Sequence, residues 1–231
     1  MTGAIVLAGG LGSRLRAAVG DRQKAVAEVA GRPFVELLLR QLAHFKITPV
    51  TLACGYRADT VRSALEPRWP ELLYSVEPER LDTAGAIRLA ADLTPGDPLV
   101  AMNGDSFLDL DFAAFLDWFG RSGFEVAAAL TQVPDIARYG AVTLDGERIT
   151  GFREKGDVTG PGWVNGGVYA FRRAALTAIP EGIALSLERD IFPGLAAAGK
   201  LGGFRSQGRF LDIGTPETYT LAQTFFDGKD C

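Results

Sequence analysis

The sequence is poor in the residues from which many enzyme centres are built. It holds one histidine, His44, and two cysteines, Cys54 and Cys231, in 231 residues. His44 lies in an apolar helical pattern and reads as a helix residue. That leaves no histidine-based triad and no zinc cluster, which need several imidazoles or thiolates together. Two distant cysteines without a CxxC pair exclude a disulfide framework and fit a reducing compartment. Positive charge is not in excess either: 24 Lys and Arg stand against 28 Asp and Glu, a net charge of -4. A general nucleic-acid binder is basic or carries a dense cationic patch, so nucleic acid is excluded as a partner and any anion site must be local. No apolar run reaches the roughly 18 residues of a membrane span, and the N-terminus lacks a basic region leading into an apolar signal core. The expectation is a cytoplasmic protein without membrane association.

What is present is ordinary globular material, 47% hydrophobic and 23% charged, long enough to bury a sizeable core. Through the first half, strand-like runs (4–7, 50–53, 72–76, 99–102) alternate with helical patterns (34–45, 59–65, 83–93). That alternation implies parallel strands joined by right-handed crossovers, with ligands collecting at their carboxyl ends. Beyond Asp105 a helix is expected at 112–119. Strand-like runs at 125–132, 140–144, 149–153 and 163–171 then follow closely enough to add antiparallel strands, with a turn-rich loop at 156–162. The fold class expected is α/β: a Rossmann-like, mixed, mostly parallel sheet in a three-layer α/β/α arrangement. With no repeat and no long linker, residues 1–231 read as one domain.

The most informative segment is Gly9-Gly10-Leu11-Gly12-Ser13-Arg14-Leu15 after the apolar run ending at Leu7, with Lys24 ten residues beyond Arg14. Glycines let a backbone turn its N–H groups toward an anion, and the two cations add charge. Glycines at a strand-to-helix turn also arise for packing alone. A Rossmann fingerprint fails because Leu15 stands where its last small residue belongs, and a Walker loop fails because no GK[ST] closes the segment. Two further segments carry carboxylates. Asn103-Gly104-Asp105 follows a buried strand and offers the hard oxygen that Mg²⁺ prefers, although Asn-Gly-Asp is also common turn chemistry. In Phe210-Leu211-Asp212-Ile213-Gly214-Thr215-Pro216, an Asp among apolar residues is costly unless paired or metal-bound, and Gly-Thr-Pro reads as the entry to a helix from Glu217.

Taken together these segments resemble the sugar-phosphate nucleotidyltransferases, whose N-terminal signature runs roughly GGxGTRLxxxTxxxPKPMxPVxGKP. Here Ser13 replaces threonine, Gln23 stands in the place of the proline before Lys24, and Gly31-Arg32-Pro33 closes the match. Arg138-Tyr139-Gly140, Glu154-Lys155 and Asn165-Gly166-Gly167-Val168-Tyr169 resemble the family's RYG, EK and NxGxY elements. Leu81-Asp82-Thr83-Ala84-Gly85 resembles its LGTAG loop, with Asp82 for the usual glycine. The resemblance implies transfer of a nucleotidyl group from a nucleoside triphosphate to a sugar 1-phosphate. Residues 1–110 would form the nucleotide half and 111–231 the sugar-phosphate half.

On that resemblance Arg14, Lys24 and Asp105 are the catalytic residues. Leu7, Gly9, Gly10, Gly12, Ser13, Arg14, Lys24, Thr83, Gly85 and Asn103 hold the nucleotide, with Thr83 capping a helix and Gly85 letting base or ribose approach the backbone. Tyr139, Gly140, Glu154, Lys155 and Asn165 hold the acceptor, and Asp105 with Asp212 binds Mg²⁺. The short chain, the Asn-Gly-Asp-Ser-Phe-Leu-Asp run and the segment at 185–188 look most like D-glycero-D-manno-heptose 1-phosphate guanylyltransferases, which favours GTP. N-acetylmuramate 1-phosphate uridylyltransferases share the plan, and a regulatory subunit keeping the fold without catalysis is the alternative of another class. A homo-oligomer is compatible with either.

Overall fold

A computed structural model describes residues 1–10, 23–55, 57–153, 156 and 158–226. Its frame is a nine-stranded sheet. In chain order the strands and helices that build the frame are β1 (Gly3–Leu7), β2 (Glu28–Val29), β3 (Arg32–Pro33), α1 (Phe34–His44), β4 (Val50–Cys54), α2 (Ala58–Leu65), β5 (Leu73–Val76), α3 (Asp82–Ala91), β6 (Leu99–Asn103) and β7 (Ser106–Leu108). They continue with α4 (Phe112–Arg121), β8 (Val126–Val133), β9 (Ala141–Asp145), β10 (Arg148–Arg153), β11 (Gly162–Phe171), α5 (Arg173–Thr177), α6 (Phe192–Ala197), β12 (Leu201–Arg205), β13 (Phe210–Asp212) and α7 (Pro216–Phe225).

The large sheet runs β5-β4-β1-β6-β11-β8-β12-β10-β9. β5, β4, β1 and β6 are parallel; β11 is antiparallel to both β6 and β8, and β12 is parallel to β8, so only β11 and β10 run against the common direction. This is the mixed, mostly parallel α/β sheet that the alternating pattern predicts. Period-two alternation along β1 sends Ala4 and Val6 to one face and Ile5 to the other. The first face packs on α1, α2, α4 and α7 through Phe34, Leu38, Leu65, Phe112, Phe115 and Ala222, and the second on α3, α5 and α6 through Ile87, Leu176 and Phe192. Two apolar layers around one sheet make the arrangement three-layered.

Local chemistry sets the ends of the helices. Asp111 caps α4 by accepting from the Ala114 N–H at 3.0 Å. Thr215 opens α7 with a capping box completed by Thr218, and Pro216 fills the first turn, where no N–H is needed. The turn from Asp212 into a helix is therefore as the sequence indicates. At the start of α3 it is not: the residue before the helix is Leu81 and no side chain caps it, while the Thr83 hydroxyl instead accepts from the Leu187 N–H at 2.8 Å. The capping role expected of Thr83 is replaced by a tie to a distant segment. Gln23 has φ -62 and ψ 138, a conformation proline itself adopts, so the substitution at that position leaves Lys24 on a proline-like path into the short 3₁₀ turn Lys24–Val26.

Candidate active site

The carboxyl ends of β5, β1 and β6 open into a cavity of about 390 Å³, as expected for an open parallel sheet. β1 and β6 end in register, Leu7 opposite Asn103. Gly9 and Gly10 continue from β1 into the cavity, Glu77 enters after β5, Asp82 and Thr83 come from α3, and Lys24, Asn103 and Asp105 close the β6 side. Gly104 lies so close to β1 that a Cβ there would overlap the Leu7 carbonyl oxygen and sit 3.0 Å from its carbon. The chain can turn from Asn103 to Asp105 at this point only because the residue between them has no side chain.

Asp105 and Asp212 are 107 positions apart in sequence and are brought together by a two-stranded antiparallel ribbon of β7 and β13, in which Asp212 pairs with Ser106 and the Ile213 N–H donates to the Asp105 carbonyl at 2.9 Å. Lys24 Nζ lies 2.6 Å from Asp105 Oδ2. Asp212 Oδ1 accepts from the Gly214 N–H at 2.8 Å, and its Oδ2 accepts from the Tyr139 hydroxyl at 2.9 Å, with Arg138 Nη2 3.8 Å away. Burial, reinforced by the neighbouring Asp212 charge, pushes the Tyr139 phenol up to about 12, so it stays a donor to that carboxylate at neutral pH. Two adjacent carboxylates beside a lysine are a hard-oxygen donor set, short of a full cage, and Mg²⁺ characteristically takes one or two carboxylates and completes its shell with phosphate and water.

The first cavity continues into a second of about 850 Å³, with Arg80, Asp82, Thr83 and Asn103 lining both. Gly140, with φ 79, and Tyr139 lie in its wall. Asn165 stands on β11 just where the register with β8 shifts; its Nδ2 donates to the Tyr169 hydroxyl at 2.8 Å and to Glu188 Oε1 at 2.9 Å, and its Oδ1 accepts from the Gly167 N–H at 3.0 Å. Tyr169 is fully buried, and that burial raises its phenol above the ordinary value. A polar network this well supported holds Glu188 and Asn165 facing the cavity.

Of the residues expected from the sequence, Leu7, Gly9, Gly10, Lys24, Thr83, Asn103 and Asp105 meet in the first cavity, and Tyr139, Gly140 and Asn165 in the second. Asp212 joins them through Tyr139. Gly85 is not among the lining residues of either cavity: a Cβ there would lie 2.5 Å from the Ile183 carbonyl oxygen, so its missing side chain makes room for the passing 183–185 backbone. Gly12, Ser13, Arg14, Glu154 and Lys155 lie outside the described residues. Sequence reasoning overlooked Glu77, Arg80, Glu188 and Arg189. The first two follow a strand in the stretch Glu77-Pro78-Glu79-Arg80, which reads as a solvated turn. Glu77 is in fact half-buried, its Oε2 accepting from the Leu81 N–H at 2.7 Å, and loss of solvent raises its carboxyl above the usual range.

Comparison with known proteins gives this geometry a family. The sequence profile described as nucleotidyl transferase matches residues 3–228. The chain is 32% identical over 222 residues to a D-glycero-alpha-D-manno-heptose 1-phosphate guanylyltransferase of Aneurinibacillus thermoaerophilus, covering 95% of this chain and 96% of that one. It is also 32% identical to a mannose-1-phosphate guanylyltransferase of Mycobacterium tuberculosis, of whose length it spans 62%. The fold superposes with a TM-score of 0.85 on HddC from Yersinia pseudotuberculosis complexed with GMP-PN, at 28% identity and covering 98% of this chain and 100% of that one. Among the described residues no helix is long and apolar enough to cross a membrane. With its glycine turn, paired aspartates and double cavity on the one sheet, the chain belongs to the nucleotidyl transferase family and is an enzyme of the sugar-1-phosphate nucleotidyltransferase class.

Proposed function

We propose that this enzyme joins GTP to D-glycero-D-manno-heptose 1-phosphate. The observation that carries the choice of base is Glu77. In the order β5-β4-β1-β6, Glu77 enters from the β5 side and Asp105 from the β6 side, so the cavity has a base end and a phosphate end. Guanine presents its N1–H and 2-amino group side by side, and an ionised carboxylate accepts from both; no other common base offers that pair of adjacent donors. The heptose rests on the full-length correspondence with the Aneurinibacillus protein and on the roomy second cavity, where Glu188 and Asn165 offer polar groups that suit sugar hydroxyls.

In the reaction an anionic oxygen of the sugar phosphate attacks the α-phosphorus of GTP; the new P–O bond forms as the bond to the β-phosphate oxygen breaks, and pyrophosphate departs with that electron pair. The nucleophile is already ionised, so no histidine, serine or cysteine base is needed, and orientation with charge neutralisation carries the rate. Gly9, Gly10, Gly12 and Ser13 wrap the phosphates, Arg14 and Lys24 neutralise the leaving group, and Lys155 with Glu154 receives the acceptor. Asp105 and Asp212 are the residues that would hold Mg²⁺, which when bound would supply Lewis-acid neutralisation of phosphate charge. Tyr139 orients Asp212 through its hydroxyl. Residues 1–110 thus supply most of the nucleotide site and 111–231 the acceptor site, in a protein working in the cytoplasm.

A matrix of nucleoside triphosphates against sugar 1-phosphates, read by pyrophosphate release, tests this. Turnover of GTP with the heptose phosphate is expected, and mannose 1-phosphate is the closest competing acceptor; preference for UTP with an aminosugar phosphate refutes the reading. Glu77→Gln should lower kcat/KM for GTP by about 100-fold, because an amide donor then faces a guanine donor. The same carboxylate predicts a pH dependence. Its raised pKa means that it takes up a proton at a pH above the usual carboxylate range, so GTP affinity is full above that pKa and falls as pH drops through it. Calorimetric titration of a non-hydrolysable GTP analogue should show this slope in the wild type and a flat profile in Glu77→Gln.

Tyr139→Phe gives a further expectation. Removing the hydroxyl frees Asp212 Oδ2 from its 2.9 Å donor, and loss of a partner that orients a metal ligand typically weakens metal binding about 10- to 100-fold. Mn²⁺ binding followed by paramagnetic resonance, with a non-hydrolysable GTP analogue present, reads this directly. An unchanged affinity means that the hydroxyl does not orient the ligand.

A further inference from the structure

Asp82 stands where the resembled signature has glycine, and the backbone keeps the glycine conformation, with φ +56. A side chain there carries a conformational cost that glycine avoids. Its carboxylate is fully engaged: Oδ1 accepts from the Thr83 N–H at 2.9 Å and Oδ2 from Arg189 Nη2 at 2.8 Å. Arg189 belongs to the π-helical turn Leu187–Ile191, and its side chain is 71% exposed. An exposed ion pair adds little to stability, so fold maintenance does not account for it. The segments it joins are already stitched together by the Leu185 N–H to the Leu81 carbonyl at 3.0 Å, the Ala84 N–H to the Leu185 carbonyl at 2.8 Å and the Leu187 N–H to Thr83. What the pair adds is position. Asp82 lines both cavities and Arg189 the second, so the guanidinium is pinned at their junction.

The junction is where the phosphate end of an acceptor must lie if it is to reach a nucleotide in the first cavity. A guanidinium offers five N–H donors in a planar fork that matches phosphate, and the Asp82 contact takes one N–H of Nη2, so the second Nη2 hydrogen still forms a two-donor edge with its neighbouring nitrogen. We propose that Asp82 and Arg189 form an acceptor clamp: Arg189 binds the phosphate of the incoming sugar 1-phosphate, and Asp82 is the positioning residue that aims it. The proposal rests on the nucleotidyl-transfer reading above and assigns the substituted glycine to the acceptor rather than to the base.

The test uses the whole enzyme with GTP and the heptose or mannose 1-phosphate, measuring KM for each substrate, kcat, and the Kd of a non-hydrolysable GTP analogue. Arg189→Ala should raise the acceptor KM at least about tenfold while the analogue Kd stays constant, with partial recovery in Arg189→Lys, whose single ammonium cannot bridge carboxylate and phosphate as a fork. Asp82→Gly relaxes the backbone and removes the aim, so it should raise the acceptor KM by less, and Asp82→Gly with Arg189→Ala should be no worse than Arg189→Ala alone. An acceptor KM unchanged in Arg189→Ala, fully additive effects, or a rise in the analogue Kd each overturns the clamp. If the wild type releases pyrophosphate with no sugar 1-phosphate, the underlying transfer reading fails and takes the clamp with it; wild-type turnover with silent variants removes the clamp alone.

Discussion

Replacing Asp105 by Asn is expected to lower kcat about 1000-fold or more while leaving the melting temperature within a few degrees of wild type. The size follows from what the carboxylate does. It ends the tight turn after β6, lines the cavity at the end proposed for the phosphates, and is half-exposed while Lys24 Nζ sits 2.6 Å away and is itself well buried. Removing one preorganised charge-stabilising group typically costs about 100- to 1000-fold in kcat. Here one substitution also withdraws half of a two-carboxylate set. The amide preserves shape and can still accept from Lys24, so the fold should tolerate it; Asp105→Ala would leave the ammonium without its partner and is the less clean variant. Pyrophosphate release in a single-turnover experiment checks the rate, and circular dichroism on heating checks the fold. A kcat within tenfold of wild type would show that Asp105 does not carry the metal.

Gly104→Ala should be among the most damaging single-methyl changes at the described residues. A Cβ there runs into the carbonyl of Leu7, which is backbone of the central strand β1 and cannot swing aside. Relief requires β1 and the turn after β6 to separate. Both strands are buried, and overpacking of this kind costs about 1–3 kcal/mol, occasionally more. The same displacement carries Asn103 and Asp105 out of place, so activity should fall along with stability, a pairing that Asp105→Asn does not show. Urea unfolding gives the stability change, and a midpoint matching wild type would refute the close approach. The glycine of the Asn-Gly-Asp segment is thus explained by packing against β1, and the aspartate beside it inherits its position.

This division explains how far the sequence could be read. The parallel half of the sheet was legible because β1, β4 and β6 are short apolar runs separated by helices with a strong 3.6-residue pattern, such as Phe34 to Leu42 in α1. β12 was not: Leu-Gly-Gly-Phe-Arg has two central glycines and reads as a turn, yet it pairs with both β8 and β10. The three-residue strands β7 and β13 are too short to carry any period at all. Among the candidate site residues, those in compact motifs stand out in the sequence, Asp105 and Asp212 included. The Glu77 and Arg80 pair and Glu188 with Arg189 were not, because charged residues in a turn look solvated until the fold encloses them. Thr83 and Gly85 stand out as a motif, but their contacts with the segment at 183–187 are not legible in it, because that segment is a hundred residues away.

The late strands also set an order of events during synthesis. β12 enters the sheet between β8 and β10, both completed some fifty or more residues earlier, and β13 must then return to β7 before Asp212 stands beside Asp105. A ribosome-bound chain that has emerged only to about residue 195 can pair β5, β4, β1 and β6 but leaves β8 with an open edge on one side and Asp105 without Asp212 beside it. Such unpaired edges are sticky, and long-range pairings of this kind form slowly. The pairing that sets Asp212 beside Asp105 is thus among the last to form, and the chain passes through its open-edged state shortly before the proposed metal site is complete.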